Sequence, residues 1–413
     1  MSNPSSSYSK HQYLHKAFIV LLICSLFLFY KYIAQLFPST ISEDLINNYH
    51  FNGLELAIMA SSYYYSYSVL QLAAGYLIDR HDVRIPCFLA ILTLSIAMLI
   101  FSYTNNFYIM CISRVFMGAG ASFATVLYMK CAAVWASKKA FGILSSLLAT
   151  VTMFGAAFGN APIAIFFKTT GWHNGLFIIA IGGLIIAAMA LIFVSNRGAI
   201  GNLNEFKLNL KDIYIIMRNK LNWLLFAYAG ITFAPLLILG GLWGNPFLIE
   251  KFHITNTSAS MLLSIMFIGI GIGSPVWAIL AALLNQRKNL MHLANLIAFL
   301  DLIGIIYLDF SYSITLILFF ILGFAVGCFM LCFQFCREIN SIYIMGIAVA
   351  FVNMGDGIIS SIIEPLIGCI LDLLKTGNIF SLNSYKLAFS ILPLCYIISS
   401  ITILPLATKH MKQ

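Results

Sequence analysis

The chain consists largely of apolar runs long enough to cross a lipid bilayer, separated by short polar segments. Hydrocarbon about 30 Å thick requires about 20 apolar residues per helix, and roughly a dozen such runs occur. Because 61% of the residues are apolar and only 9% are charged, a water-soluble core is excluded. The runs do not alternate in polarity, as strands of a membrane barrel would. The sequence therefore predicts an all-α integral membrane protein.

Twelve transmembrane helices are predicted from these runs. The first six are placed at 17–37, 54–78, 85–104, 107–134, 140–166 and 174–194, and the last six at 221–248, 258–284, 289–309, 311–336, 341–373 and 386–407. The long polar connection at 196–220 falls between the sixth and the seventh helix. We therefore expect two six-helix bundles, residues 1–195 and 221–413, joined by a cytoplasmic linker.

Lysine and arginine are distributed unequally between the two sets of loops. Seventeen of the 23 lie in the set that contains both termini, and four lie in the opposite set. Since positively charged loops are retained in the cytoplasm, both termini are predicted to be cytoplasmic. This topology also explains the net charge of +9. A nucleic-acid-binding surface would instead concentrate the charges on one folded face, so no nucleic-acid partner is expected.

A charged segment follows the second predicted helix, with Gly75, Asp79, Arg80 and Arg84 as its main residues. A weaker copy without the aspartate occurs about 200 residues later, at 273–288, which indicates that the two halves are related. The carboxylate at the helix end and the following arginines can pair with a neighbouring helix end and so latch one conformation. The alternative is that the charges only anchor the loop in the cytoplasm. Because an aspartate adds little to such anchoring, a gating loop is favoured.

Five ionisable residues lie inside predicted helices, where a charge costs about 2.5 to 3.5 kcal/mol even on a lenient insertion scale. Two are cations in the first half, Lys31 and Arg114, and three are carboxylates in the second half, Asp301, Asp356 and Glu364. Such groups should face protein or water. In a cavity between two bundles they would neutralise each other or hold opposite ends of a bound solute.

Each of these residues also has a structural interpretation. Lys31 could extend to the outer headgroups, and Arg114 could join two helices. Asp356 lies between two glycines and could bond to a nearby carbonyl or hydroxyl group, and Glu364 precedes a proline and could cap a helix break. Asp301 is the weakest candidate for a solute or proton site. For Asp356 a proton or solute site is favoured, because a carboxylate in mid-membrane is costly without a use.

Aromatic residues mark two further segments. The second helix carries Tyr63, Tyr64, Tyr65 and Tyr67, which cannot all face one way because successive helix residues turn by about 100°. We expect one or two of them, with Tyr64 as the candidate, to line a cavity. Trp243 lies near the outer end of the seventh helix among several glycines and a proline. This stretch can bend and is a candidate outer gate.

Signatures of other chemistry are weak. The sequence contains no glycine-rich phosphate loop ending in Lys-Ser or Lys-Thr, so nucleotide binding is not predicted. Cys328, Cys332 and Cys336 share one helix face, but no histidine joins them, and cysteine is a common packing residue. We therefore predict neither enzymatic activity nor a cofactor nor a metal site.

These motifs resemble those of the major facilitator superfamily of secondary transporters, over essentially the whole chain. The segment from Gly75 to Arg84 resembles the signature loop of the family, and Arg114-xxx-Gly118-x-Gly120 resembles its fourth-helix motif. A bacterial branch with a tyrosine-rich second helix is the most similar. Relatives in that branch often carry an arginine three residues before the proline of the first helix. Here that residue is Gln35, and Lys31 lies one turn earlier.

The resemblance implies a secondary active transporter in a bacterial inner membrane that works by alternating access. We expect a small polar or amphoteric solute of the amino acid, peptide or organic acid class, and proton coupling through Asp356 or Glu364. The candidate solute or proton site consists of Lys31, Gln35, Tyr64, Arg114, Trp243, Asp356 and Glu364. A monomer suffices for this architecture. The alternatives are an exporter of drugs or siderophore-like metabolites and a non-transporting sensor or scaffold.

Overall fold

The computed structural model describes residues 10–80, 82–135, 148, 151–194, 210–341, 344–375 and 380–403. Twelve long helices lie in this part of the chain. The first six are α1 Lys10–Asn47, α2 Gly53–Arg80, α3 Arg84–Tyr103, α4 Phe107–Ala121 continued by Ala124–Trp135, α5 Val151–Thr170 and α6 Trp172–Phe193. The last six are α7 Lys220–Phe252, α8 Asn256–Leu284, α9 Arg287–Tyr307, α10 Tyr312–Ile339, α11 Met345–Leu374 and α12 Leu382–Ile403. A short helix, Leu210–Arg218, precedes α7.

Eleven of the helices are long and apolar enough to cross a membrane. The remaining one, α2, has 28 residues and is long enough to span, but the serines and tyrosines at 61–68 lower its hydropathy. The prediction of an all-α membrane protein is confirmed, and the helix count agrees with twelve spans. The predicted start of the fifth helix, at 140–147, and residues 196–209 of the linker lie outside the described residues.

The first helix does not end at residue 37 as predicted, because it continues through Pro38 to Asn47. A proline inside a helix removes one backbone donor and leaves the carbonyl four residues earlier without its partner. Side chains bond to the carbonyls around this break. Thr40 Oγ1 donates to the carbonyl of Phe37 at 2.7 Å, and Arg114 donates to the carbonyl of Ala34. The helix can therefore pass the proline without leaving buried groups unsatisfied.

Two bundles, α1–α6 and α7–α12, pack against each other along three pairs of helices. In the first bundle α3 packs on α4 and α6, and α2 packs on α4. In the second bundle α7 packs on α11 and α12, and α8 packs on α10. The pairs that join the bundles are α1 with α7, α2 with α11 and α5 with α8. Except for Arg114 on α4 and Asp301 on α9, the candidate solute-site residues lie on the helices of these pairs. We call the membrane side opposite the start of α1 and the end of α12 the outer side.

Candidate solute site between the two bundles

Lys31 of α1 and Asp356 of α11 lie close enough to interact electrostatically, together with two tyrosines. Lys31 is 2% exposed, and its Nζ donates a 3.1 Å hydrogen bond to the hydroxyl of Tyr67. The Nζ atom also lies 4.3 Å and 4.4 Å from the ring centroids of Tyr32 and Tyr67. Lys31 therefore points into the protein and does not extend to the headgroups. Asp356 is also buried, and its Oδ1 has no hydrogen-bond partner among the described residues. These four residues form the inner cluster.

Four other predicted residues, Gln35, Tyr64, Trp243 and Glu364, come together about one to two helix turns closer to the outer side. Ser61 Oγ donates a 2.6 Å hydrogen bond to Glu364 Oε2, and the indole N–H of Trp243 donates to the main-chain carbonyl of Glu364 at 3.4 Å. The remaining carboxylate oxygen, Glu364 Oε1, is buried without a partner in the described part of the chain, as are Gln35 Oε1 and the hydroxyl of Tyr64. These five residues form the outer cluster.

Arg114 of α4 is fully buried, and its guanidinium group is bonded to the protein backbone. It donates to the carbonyl of Ala34, which Pro38 deprives of a backbone donor, and to the carbonyls of Gln35 and Ala60 at 3.3 Å and 3.2 Å. Charged donors make stronger hydrogen bonds than neutral ones, and a buried arginine requires such partners. These contacts favour the structural interpretation of Arg114 over direct contact with a solute.

The motif Arg114-xxx-Gly118 has a packing reason in this structure. A Cβ at Gly118 would overlap the main-chain carbonyl of Tyr63 and the hydroxyl of Ser66, so only glycine allows α4 to approach α2 this closely. The guanidinium carbon of Arg114 then lies 4.7 Å from the ring centroid of Tyr63. The motif therefore joins α4 to α1 and α2.

A π-helical turn at Leu239–Trp243 interrupts α7 beside the outer cluster. Pro235 and Pro246 flank this turn, and each removes one backbone donor from the helix. The wider turn is rare and occurs mostly at functional sites. It places Gly241 toward Tyr64 and Glu364, and it places the fully buried Trp243 ring at the backbone of α11. The predicted bendable stretch thus coincides with an observed irregularity of the helix.

Comparison with known proteins assigns this architecture to a family. The profile of the Major Facilitator Superfamily matches residues 19–362. The chain belongs to the major facilitator superfamily. A relative, the "Uncharacterized transporter YybO" of Bacillus subtilis (strain 168), is 25% identical over 140 residues, which are 34% of this chain and 32% of that protein. The chain thus spans about a third of the length of this relative.

Two solved structures with the same fold superpose on nearly the whole length of this chain. A bacterial homologue of the human lysosomal transporter Spinster, in an inward-facing and unoccupied conformation, superposes with a TM-score of 0.76 at 13% identity, over 97% of this chain and 99% of that one. Its inward-facing and occupied conformation gives a TM-score of 0.73 at 11% identity, over 94% and 96%. These structures share the fold of this chain, and its membership of the superfamily makes it a multi-pass membrane protein of a transporter family.

In this transporter α2 and α11 run antiparallel and are joined by a row of hydrogen bonds that the sequence did not predict. At the outer end, the carboxylate of Asp372 accepts hydrogen bonds from the main-chain N–H groups of Gly53 and Leu54, both at 2.8 Å. The bond from Ser61 to Glu364 follows. Nearer the middle of the membrane, the hydroxyl of Tyr65 donates to the carbonyl of Ser361 at 2.7 Å. We call these bonds the α2–α11 seam.

The seam could have been found from paired helical spacing. On α2 its residues recur seven and four positions apart, as residues on one helix face do, and their partners on α11 recur eight and three positions apart in the opposite order. No single residue in this pattern is unusual for its type, however, and the pattern becomes visible only when the two helices are known to be adjacent. The missed residues were Ser61 and Asp372.

Two predicted features lie apart from these clusters. Asp301 of α9 is 8% exposed, its Oδ2 has no hydrogen-bond partner among the described residues, and it lies near Tyr396 rather than near the other candidates. In the gating loop, the side chains of Asp79 and Arg80 lie outside the described part of the protein. Arg84 Nε donates to the carbonyl of Val194 at 2.9 Å. The gating role therefore stays a prediction.

Proposed function

We propose that this superfamily member moves a small polar or amphoteric solute, of the amino acid, peptide or organic acid class, across a bacterial inner membrane by proton-coupled alternating access. The observation that carries the proposal is the burial of Lys31, Asp356 and Glu364 on helices that join the bundles, with the buried Arg114 of the first bundle next to α1 and α2. Each would be costly at this depth without a partner. The position of Lys31 on α1 and of Asp356 and Glu364 on α11, two of the helices that join the bundles, supports a solute site there.

The charge balance of the site supports an amphoteric solute. Lys31 offsets Asp356, and Arg114 offsets Glu364, so the site has no net charge when all four residues are ionised. A solute with both a cationic and an anionic group can place each of them next to an opposite charge of the site, whereas a solute with one charge can use only one of these charges. Polar atoms without partners in both clusters offer the hydrogen bonds that such a solute requires.

Proton coupling follows from the same pairing. A proton bound by Asp356 would leave the ammonium group of Lys31 without its compensating charge, and Lys31 would then attract an anionic group of the solute. Release of that group and of the proton would restore the pair. Proton and solute thus favour each other's binding, which is the thermodynamic requirement for coupling. Glu364, with one free oxygen, is the second candidate for the proton site.

The hydrogen bonds between the bundles support an inward-facing conformation. Besides the seam, Asn245 Nδ2 donates to the carbonyl of Ser39, and Asn256 Nδ2 donates to the carbonyl of Thr40, each at 2.9 Å. Ser264 Oγ donates to the carbonyl of Ala157 at 2.7 Å. These bonds lie between the middle of the membrane and the outer side and would close that side. With both termini in the cytoplasm, as the charge distribution predicts, a site closed on the outer side would be reached from the cytoplasm. A single chain contains both bundles, so we propose a functional monomer.

The test is flux in proteoliposomes with the wild type and with Asp356→Asn. Amino acids, dipeptides and organic acids that stabilise the purified protein against heat are tested for uptake with and without an imposed proton gradient. We expect uptake that acidifies the vesicle interior, and at least about a tenfold loss in Asp356→Asn, which cannot carry a proton. Asp309→Asn, at the end of a loop on the outer side, serves as a matched control and should transport normally. Wild-type flux that is indifferent to the proton gradient would refute coupling.

A further inference from the structure

Gly241, in the π-helical turn of α7, faces two buried oxygens from other helices. A Cβ at residue 241 would lie 3.0 Å from the hydroxyl of Tyr64 and 3.9 Å from Glu364 Oε1. Both side chains are 1% exposed, and neither oxygen has a hydrogen-bond partner among the described residues. Two potential acceptors from α2 and α11 therefore lie beside the same residue of α7, and a side chain larger than that of glycine at residue 241 would press against the hydroxyl of Tyr64.

Neighbouring contacts hold the carboxylate of Glu364 in this orientation. Ser61 occupies the other oxygen, Oε2, at 2.6 Å, and Trp243 bonds to the main-chain carbonyl of the same residue at 3.4 Å. Arg114 is bonded to backbone carbonyls, and it makes no ion pair with Glu364 within 4 Å in the part of the chain described. A buried acceptor without a partner is unfavourable, so the arrangement suits a ligand that donates.

We propose that the hydroxyl of Tyr64 and Glu364 Oε1, beside Gly241, bind the primary ammonium group of the transported solute, while Lys31 binds its carboxylate on the inner side. The inference rests on the proposed function and narrows the solute to zwitterions such as amino acids or short peptides. An ammonium group has three N–H donors and suits a carboxylate oxygen and a phenolic oxygen together. Gly241 is then a specificity-determining residue, because a Cβ there would lie 3.0 Å from the hydroxyl of Tyr64 and would displace one of the two acceptors.

The orientation of the solute follows from the two clusters. Along α2, the contacts of the outer cluster begin at Ser61 and those of the inner cluster lie at Tyr67, so the two are separated by six residues or about 9 Å along the helix. Two hydrogen bonds of about 3 Å at the ends of the solute account for most of this length. The ammonium group accordingly faces the outer side and the carboxylate faces the inner side.

The proposed ammonium subsite can be tested by measuring how tightly the purified protein binds sets of three related compounds. Each L-amino acid that binds is compared with its carboxylic acid analogue lacking the amino group and with the amine lacking the carboxylate. In the wild type we expect the acid without the amino group to bind at least about tenfold more weakly, as expected for the loss of a charged hydrogen bond. Gly241→Ala should weaken the amino acid by a similar factor and leave the weak binding of the acid within about twofold.

Two further variants separate recognition from folding. Gly182→Ala in α6 is the matched control, since a Cβ at that residue meets no atom within 4 Å, and it should bind like the wild type. Tyr64→Phe removes one acceptor without adding volume and should weaken only the amino acid, by about three- to tenfold. If the acid binds as tightly as the amino acid in the wild type, the subsite proposal is wrong while transport of small polar solutes stands. If proteoliposomes transport none of the compounds tested, the proposed function itself fails.

Discussion

α1 and α11 each contain a proline inside the membrane, and the two breaks are satisfied in different ways. Pro38 leaves the carbonyl of Ala34 without a backbone donor, and Arg114 of the same bundle donates to it. Pro365 does the same to the carbonyl of Ser361, which accepts a hydrogen bond from Tyr65 of the opposite bundle at 2.7 Å. The carbonyl freed by Pro38 accepts its hydrogen bond from the same bundle, and the carbonyl freed by Pro365 accepts its hydrogen bond from the opposite bundle.

Because of this difference, we expect the bond to α1 to matter for the stability of the fold and the bond to α11 to matter for conformational change. The donor to α1 is charged and fully buried, and it moves together with its acceptor whenever the bundles move as rigid bodies. The donor to α11 is neutral and 47% exposed, and its bond must break when the outer side opens. The first bond therefore supports the fold in every conformation. The second contributes only to the conformation in which the outer side is closed.

The largest effect is expected for Arg114→Gln. This change removes charged hydrogen bonds from three buried carbonyls, and each bond to a charged group contributes about 1.5 to 3 kcal/mol, so we expect a loss of about 3 kcal/mol or more in the free energy of unfolding. Thermal unfolding in detergent should show a clearly lower midpoint. Arg287→Gln is the control, because Arg287 pairs with Glu338 at an exposed site and should matter little.

Combining Arg114→Gln with Pro38→Ala sharpens the comparison. Alanine at residue 38 restores the backbone donor to the carbonyl of Ala34, so part of the loss caused by Arg114→Gln should be recovered in the double variant. Residues that share a partner give non-additive effects. Additive effects of the two changes would show that the hydrogen bond from Arg114 does not compensate for the donor that Pro38 lacks. The proposed difference between the breaks in α1 and α11 would then be wrong.

Much of the fold was predictable because the bilayer constrains it so strongly. The thickness of the hydrocarbon sets the length of every helix, so most predicted spans differ from the observed helices by a few residues. The same physics identified the candidates Lys31, Asp356 and Glu364, since ionisable side chains are costly in apolar runs wherever the helices lie. The end of the first helix was mispredicted at Pro38 because the side chains that satisfy the break come partly from another helix.

The partners of the candidate residues were less predictable. Arg114 bonds to main-chain carbonyls, which every residue has, so no feature of the sequence marks Ala34, Gln35 or Ala60 as acceptors. Asp372 lies at the end of a predicted helix, where a carboxylate is unremarkable, and its role depends on α2 beginning beside it. Such contacts are set by which helices are adjacent, and apolar periodicity carries little of that information within a membrane.

Asp372→Asn tests whether bonds across the boundary affect conformation rather than stability. The carboxylate accepts two main-chain N–H groups at the start of α2, and the loss of a capping group at a helix N-terminus typically costs about 1 kcal/mol. We expect a larger outward-open population with little change in the unfolding midpoint. Spin labels at residues 108 and 387, one on each bundle at the outer side, should show longer distances. Lys375→Gln removes only the 3.8 Å ion pair with Asp372 and should leave the distances unchanged.

Tyr65→Phe should cause the smallest change in conformation. It is also the most direct test of the difference between the helix breaks at Pro38 and Pro365. It removes one neutral hydrogen bond, worth about 1 kcal/mol, which corresponds to about a fivefold change in the ratio of outward-open to outward-closed protein. The same pair of spin labels should report this shift, and Tyr103→Phe, at an exposed residue of α3, should not produce it. In a Pro365→Ala background the carbonyl of Ser361 regains a backbone donor, so the effect of Tyr65→Phe should become smaller. If the effect of Tyr65→Phe is undiminished in that background, the hydroxyl of Tyr65 acts independently of the proline. If Tyr65→Phe instead lowers the unfolding midpoint without changing the spin-label distances, Tyr65 stabilises the fold, as Arg114 does, and does not control conformation.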